Sequence, residues 1–186
     1  MKRFSFRPGL SIKGREFRGL RGFAGKPFHP PLTDVPIGAY VIAPVLDILS
    51  FLFPSEAWAP DLHQAAGYVY LGGAAVSLLT ALTGFLDWLD TEKGTQIRRM
   101  ANAHASTMIV MTLLVLWNLW DRYLREPAAT ADLTTAVLGA GILLLAIIGG
   151  TIGGSMVYEY GFNVETSTDS PVWHPSEEDI VHPRQT

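Results

Sequence analysis

Apolar residues along this chain fall into four long blocks separated by short polar connections: Val35 to Phe53, Ala66 to Leu86, Ala105 to Trp120 and Leu133 to Val157. Each is close to the roughly 20 residues that carry an α-helix across about 30 Å of hydrocarbon. The third is shortest in its purely apolar part, and the milder run Met100-Ala101-Asn102-Ala103-His104 extends it backward to a span of 100–120. Punctuation agrees with these blocks. Thr33-Asp34 ahead of Pro36 predicts a cap and an early proline for the first helix, which stops at Pro54. Asp61 with Gln64 three residues later predicts a capping box for the second, and Asp132 a cap for the fourth. Tyr40, Trp58, Tyr68, Trp88, Trp117, Trp120 and Tyr158 lie mostly near the expected ends, where amphipathic rings favour the interface. The pattern predicts an all-α, integral membrane four-helix bundle over 35–157, preceded by a basic arm (1–34) and followed by an acidic, irregular tail (158–186).

Composition sharpens this. With 48% hydrophobic and only 17% charged residues, the chain is too apolar for an ordinary soluble domain of 186 residues. The net charge of −3 is too mild to point to nucleic acid, and the absence of cysteine excludes disulfides, thioether-attached haem and thiolate-held iron–sulfur clusters within the chain. The first thirty residues have no continuous apolar core, so no cleavable secretory signal is expected. Charge sets a direction. Eight Lys and Arg precede the first helix, three lie in the turn from Asp87 to Ala103 and one in the tail, against Arg122 and Arg125 in the remaining connections. Basic residues are retained on the cytoplasmic side, which predicts a multi-pass bacterial inner-membrane protein with both termini inside. Phe17, Leu20 and Phe23 interleave with Arg15, Arg18 and Arg21, a pattern that suits a short amphipathic turn on anionic headgroups.

Small residues supply expected packing faces. Gly149, Gly150, Gly153 and Gly154 form two overlapping GxxxG patterns in the last helix, suited to close helix approach within the chain or in a homodimer. The polar positions are sorted by topology. His29, Asp87, Asp90 and His104 all fall at the cytoplasmic end, whereas His63 falls at the other and cannot share their site. Neutral imidazole is a common ligand for haem iron or a divalent metal, and a carboxylate can orient it. His104, which projects from a helix beside Thr107 and Met108, is the first candidate ligand, His29 the second, and Asp87 the expected orienter. The bland alternative is a histidine hydrogen-bonded to Asp87 or to a backbone carbonyl as bundle glue. Asp47, eleven residues past Pro36, is expected near mid-membrane, either functional or hydrogen-bonded to Ser77, Thr80 or Asn118. His174 and His182 in the tail have a weak claim to chelation.

No phosphate-cradling loop, HExxH or Gly-x-Ser-x-Gly elbow occurs, and nothing in the sequence marks an enzyme. The run Phe28-His29-Pro30, Asp34-Val35-Pro36-Ile37-Gly38, Asp47, Gly84-Phe85-Leu86-Asp87, His104 and Gly153 through Val164 resembles a bacterial family of uncharacterised four-helix membrane proteins, over about residues 27 to 165. Members of that family occur fused to Rieske or cytochrome c domains, so the resemblance implies a redox setting. This chain has no such module, and an electron-carrying partner would be a separate protein. Two functions stay open: a redox component with haem b, a metal or quinone near the cytoplasmic face, and a non-catalytic accessory subunit of a membrane complex. A proton path through Asp47 is a third, with little support from an inverted repeat.

Overall fold

In the computed structural model, described here for residues 18–22, 26–125 and 128–163, the chain is all helical, with no β-strand among the described residues. Four long helices form the bundle: α1 (His29–Leu52), α2 (Ala59–Leu89), α3 (Gln96–Trp120) and α4 (Leu133–Tyr158). All four are long and apolar enough to cross a membrane. At about 1.5 Å per residue they run roughly 36–46 Å, more than the hydrocarbon requires. A single 3₁₀ turn, Gly19–Arg21, precedes them. Most of the basic arm, including Arg15, Phe17 and Phe23 of the expected amphipathic turn, lies outside the described residues, as does the tail from 164 onward with His174 and His182.

Three helices begin earlier than their apolar blocks, α3 at Gln96 rather than Met100. α1 starts at His29 rather than Val35, because Pro30 and Pro31 occupy the first turn, where a missing N–H leaves no bond unmade. Thr33 and Asp34 therefore sit inside the helix, and the Thr33 hydroxyl donates to the Pro30 carbonyl at 2.6 Å. α2 starts at Ala59 rather than Ala66, again with a proline at its start, and Asp61 lies in the first turn instead of capping it. α3 is capped by Thr95, and α4 by Asp132, which accepts from the Thr135 N–H at 2.8 Å as the sequence predicts. Past Trp120, α3 runs on as a π-helical turn, Asp121–Arg125.

The helices are inside out relative to a soluble bundle. Leu78, Leu79, Ile109, Leu113, Val137 and Leu144 are exposed, while Tyr40, Tyr70, Asp47, Ser50 and Asn118 are fully buried. An apolar exterior suits lipid, and interior polar groups then need partners within the protein. α1 packs against α2 and α4, and α3 against α4 and more lightly α2, which sets α1 and α3 on the diagonal.

Tyr40, which its place in the sequence puts near an interface, is instead at the centre. Its hydroxyl shares a 2.8 Å hydrogen bond with Ser77 of α2, and its ring lies 6.4 Å from that of Tyr70. Pro36 cannot donate to the Leu32 carbonyl one turn back, and the Thr80 hydroxyl of α2 donates to that carbonyl instead at 3.2 Å. Ser50 closes the opposite end: it donates to the Ala59 carbonyl at 2.7 Å and accepts from the Ala131 N–H at 3.2 Å.

Close approach of α1 and α2 depends on Gly73, where an added Cβ would lie 2.7 Å from the Ala39 Cβ and 3.0 Å from the Tyr40 ring. Gly72, next in sequence, faces open space. Gly73→Ala is expected to destabilise the detergent-solubilised protein by about 1–3 kcal/mol through overpacking. Gly72→Ala should leave Tm unchanged or slightly raised, and equal effects of the two substitutions would refute this packing.

Candidate functional site

Polar side chains gather at both ends of the bundle. At the end that carries the described terminal segments, His29 opens α1 and His104 projects from the third turn of the facing α3. Their ring centroids lie 6.2 Å apart with planes nearly perpendicular, at 82°. His29 Nδ1 lies 3.0 Å from the Thr80 carbonyl of α2, and His104 Nδ1 lies 3.0 Å from the Gly149 carbonyl of α4. A carbonyl can only accept, so both Nδ1 atoms carry hydrogen, and in the neutral ring Nε2 then keeps a lone pair. Thr80 can serve because its own helical turn is already tied to α1. Each ring also fits against a glycine. A Cβ on Gly84 would come within 2.6 Å of His29 Cε1, and one on Gly153 within 3.0 Å of His104 Cε1.

The carboxylates expected beside these histidines are occupied elsewhere. Asp87 accepts from the Asn163 side chain at 3.0 Å and is not what orients either ring, a role taken by backbone carbonyls. Asp90 pairs with Arg21 at 3.0 Å and Arg18 at 3.4 Å. Arg98 closes the α2–α3 turn by donating to the Trp88 and Thr91 carbonyls, with its guanidinium 3.5 Å from the centre of the Trp88 ring. The glycine patterns of α4 divide: Gly153 takes His104 and Gly149 takes Met108, while Gly150 meets nothing within 4 Å and Gly154 touches only Tyr158.

The far end holds a cluster that the sequence does not announce. Asp47 is five residues from the end of α1, about 8 Å along the axis. Its carboxylate meets Arg122 Nη2 at 2.6 and 2.8 Å and His63 Nδ1 at 2.9 Å, not Ser77 or Thr80; Asn118, the third expected partner, bonds Arg122 instead at 3.5 Å. Arg122 also donates to the His63 carbonyl. Asp47, His63, Asn118 and Arg122 are all buried. The apolar pattern puts Arg122 in a connection. The π-helical turn keeps it on the bundle and directs it inward, and π turns of this kind often mark functional positions. The sequence signal available for it was a lone arginine two residues past an apolar run that held an asparagine one turn earlier.

The two clusters stand about 30 Å apart, since His63 and the Gly84 that seats His29 are separated by 21 residues of one helix. Among the described residues no group of three or more His, Asp or Glu is placed to hold a metal ion. What these features define is a polytopic α-helical membrane protein with an interior polar network and a facing histidine pair. Residues 25–166 match the family model described as "Predicted membrane protein (DUF2231)", and the chain belongs to that family. No curated protein and no solved structure matches it.

Removing one partner of a buried ion pair leaves a charge without solvent or counter-ion. Asp47→Ala and Arg122→Ala are each expected to cost about 3–5 kcal/mol in denaturant unfolding, and the Asp47→Leu/Arg122→Met double variant to recover most of the loss. A double variant as unstable as the sum of the two would show that pairing is not what holds this end.

Proposed function

We propose that the protein is a membrane redox component in which His29 and His104 would hold a b-type haem. The separation of the two imidazoles carries this reading. Their ring centres lie 6.2 Å apart, near enough for both rings to hold one group. The Nδ1 hydrogen bonds add to it, because a metal-ligating histidine usually donates its other N–H to a carbonyl, which fixes the tautomer and raises the basicity of the ligating nitrogen. Two histidines without a third protein donor also suit haem, whose porphyrin supplies the other four ligands, better than a bare divalent ion. Bound there, haem would supply one-electron transfer. The protein would hold it between diagonal helices, at one edge of the bilayer, with glycines 84 and 153 giving the ligand rings room.

Sidedness follows from charge. The structure withdraws Arg122 from the loop that opposes the termini, since it is buried against Asp47. This supports the reading in which the histidine pair and both termini face the cytoplasm. A fluorescent-protein fusion at the C-terminus should fluoresce and an alkaline phosphatase fusion there should be inactive; the opposite result would reverse the orientation.

Protein purified in mild detergent from haem-replete cells is expected to show a Soret band and a sharpened α band on reduction. His29→Ala and His104→Ala should each lose them, and His63→Ala should keep them. A colourless wild-type protein that takes up no added haemin would overturn the proposal in favour of a structural, accessory role.

A further inference from the structure

Beside the far-end cluster lies a cavity of about 350 Å³, lined by residues of α2, the π turn of α3 and Ala128 and Ala129 of the α3–α4 connection. Its lining includes His63 and Arg122, the two side chains that reach inward to Asp47. A pure structural lock needs no cavity leading to it.

The hydrogen bonding of His63 is also undecided in an informative way. Its Nδ1 lies 2.9 Å from Asp47 Oδ1 and 2.9 Å from Arg122 Nη1. The guanidinium only donates and the carboxylate only accepts, so a single nitrogen can satisfy one of them at a time. With a hydrogen on Nδ1 the bond goes to Asp47; without it, the bond comes from Arg122. These two arrangements differ in the place of one proton and hardly at all in geometry. With Nδ1 turned inward, the nitrogen left to the cavity is Nε2.

Three further polar atoms close to this cluster are buried without a partner in the protein: Arg122 Nε, Asn118 Nδ2 and the Tyr70 hydroxyl. Arg122 lies 5.9 Å from the Tyr70 ring and bonds Asn118, so the three surround one region. Orphaned groups in a water-free interior cost several kcal/mol each, on the order of a lost hydrogen bond, unless water reaches them.

We propose that this cavity is the water-filled mouth of a proton-exchanging site, in which His63 takes protons through Nε2 while its Nδ1–H stays on Asp47, the partner of Arg122. Starting from the Nδ1-bare tautomer, whose Nε2 already carries hydrogen, a proton cannot enter at Nε2. Starting from the Nδ1–H tautomer, water in the cavity gives a proton to Nε2, forming an imidazolium whose Nδ1–H stays on Asp47. Loss of the proton to the same water reverses the step. The charged and titratable groups around the ring are Asp47 from α1, Asp61, Tyr68 and Tyr70 from α2, and Arg122 and Tyr123 from α3; Ala128 and Ala129 add none. The Asp47 carboxylate balances Arg122 before uptake and is the counter-charge shared by both cations after it. The site is independent of haem at the other end of the bundle.

Deuterium exchange at the imidazole carbon between the two nitrogens, followed by mass spectrometry of the full chain in detergent, reads both the access of one histidine to water and its titration. His63 is expected to exchange at a rate that changes with pH. Asp47→Asn, which keeps the shape and removes the counter-charge, should change that rate. Ala128→Trp, which fills the cavity from the connection, should abolish the exchange. A His63 that does not exchange in the wild-type protein, or exchanges without regard to pH, overturns the proposal. Unaltered exchange in Ala128→Trp overturns the cavity as its route.

Discussion

In hydrocarbon a polar side chain has no solvent to turn to, and each one buried in this bundle has to find its partner on a neighbouring helix. Arg122 meets that constraint most fully. It reaches from the end of α3 to Asp47 on α1 and to His63 on α2, so three helices converge on one guanidinium. Its planar fork suits this task, since it can serve a carboxylate and a carbonyl from separate nitrogens. Elsewhere the same rule works with weaker groups. Ser50 ties the α1–α2 turn to the α3–α4 connection, Thr80 serves the carbonyl that Pro36 leaves free, and Tyr40 and Ser77 satisfy each other.

The glycines answer a different need. Since lipid tails are as apolar as the helix surfaces, close packing rather than hydrophobic exclusion draws the helices together. At Gly73 the room made is used by α1 itself, whereas at Gly84 and Gly153 it is used by imidazoles. Polar bonding and small residues thus act at the same places. His29 and His104 are each held by a carbonyl of one adjacent helix and seated on a glycine of that same helix: Thr80 and Gly84 in α2, Gly149 and Gly153 in α4. The two histidine-bearing helices do not pack on each other, so the separation of the rings is set by α2 and α4.

The ends of the bundle therefore differ in character. One carries two histidine rings, each held through Nδ1 by a backbone carbonyl. The other carries a compensated charge pair and a third titratable ring next to a cavity. About 30 Å of helix separates them, and their chemistry need not be coupled.

Four spans and the membership of each end were legible in the sequence, because length and apolarity alone fit a helix to a bilayer and the chain order then alternates the ends. That His29 and His104 share an end, and that His63 does not, followed from the same bookkeeping. The helix starts were not legible, since Pro30-Pro31 and Pro60 read equally well as turns and as first-turn residues until the backbone shows which bonds go unmade. Nor was the reach of Arg122, which depends on a local π turn, or the partners of Asp47 and Asp87, which depend on how helices rotate about their axes. A sequence records the position of each residue along a helix, which fixes depth. Rotation and neighbour choice are decided by packing between helices distant in the chain, and only the tertiary structure could turn four polar positions into a histidine pair at one end and a buried charge cluster at the other.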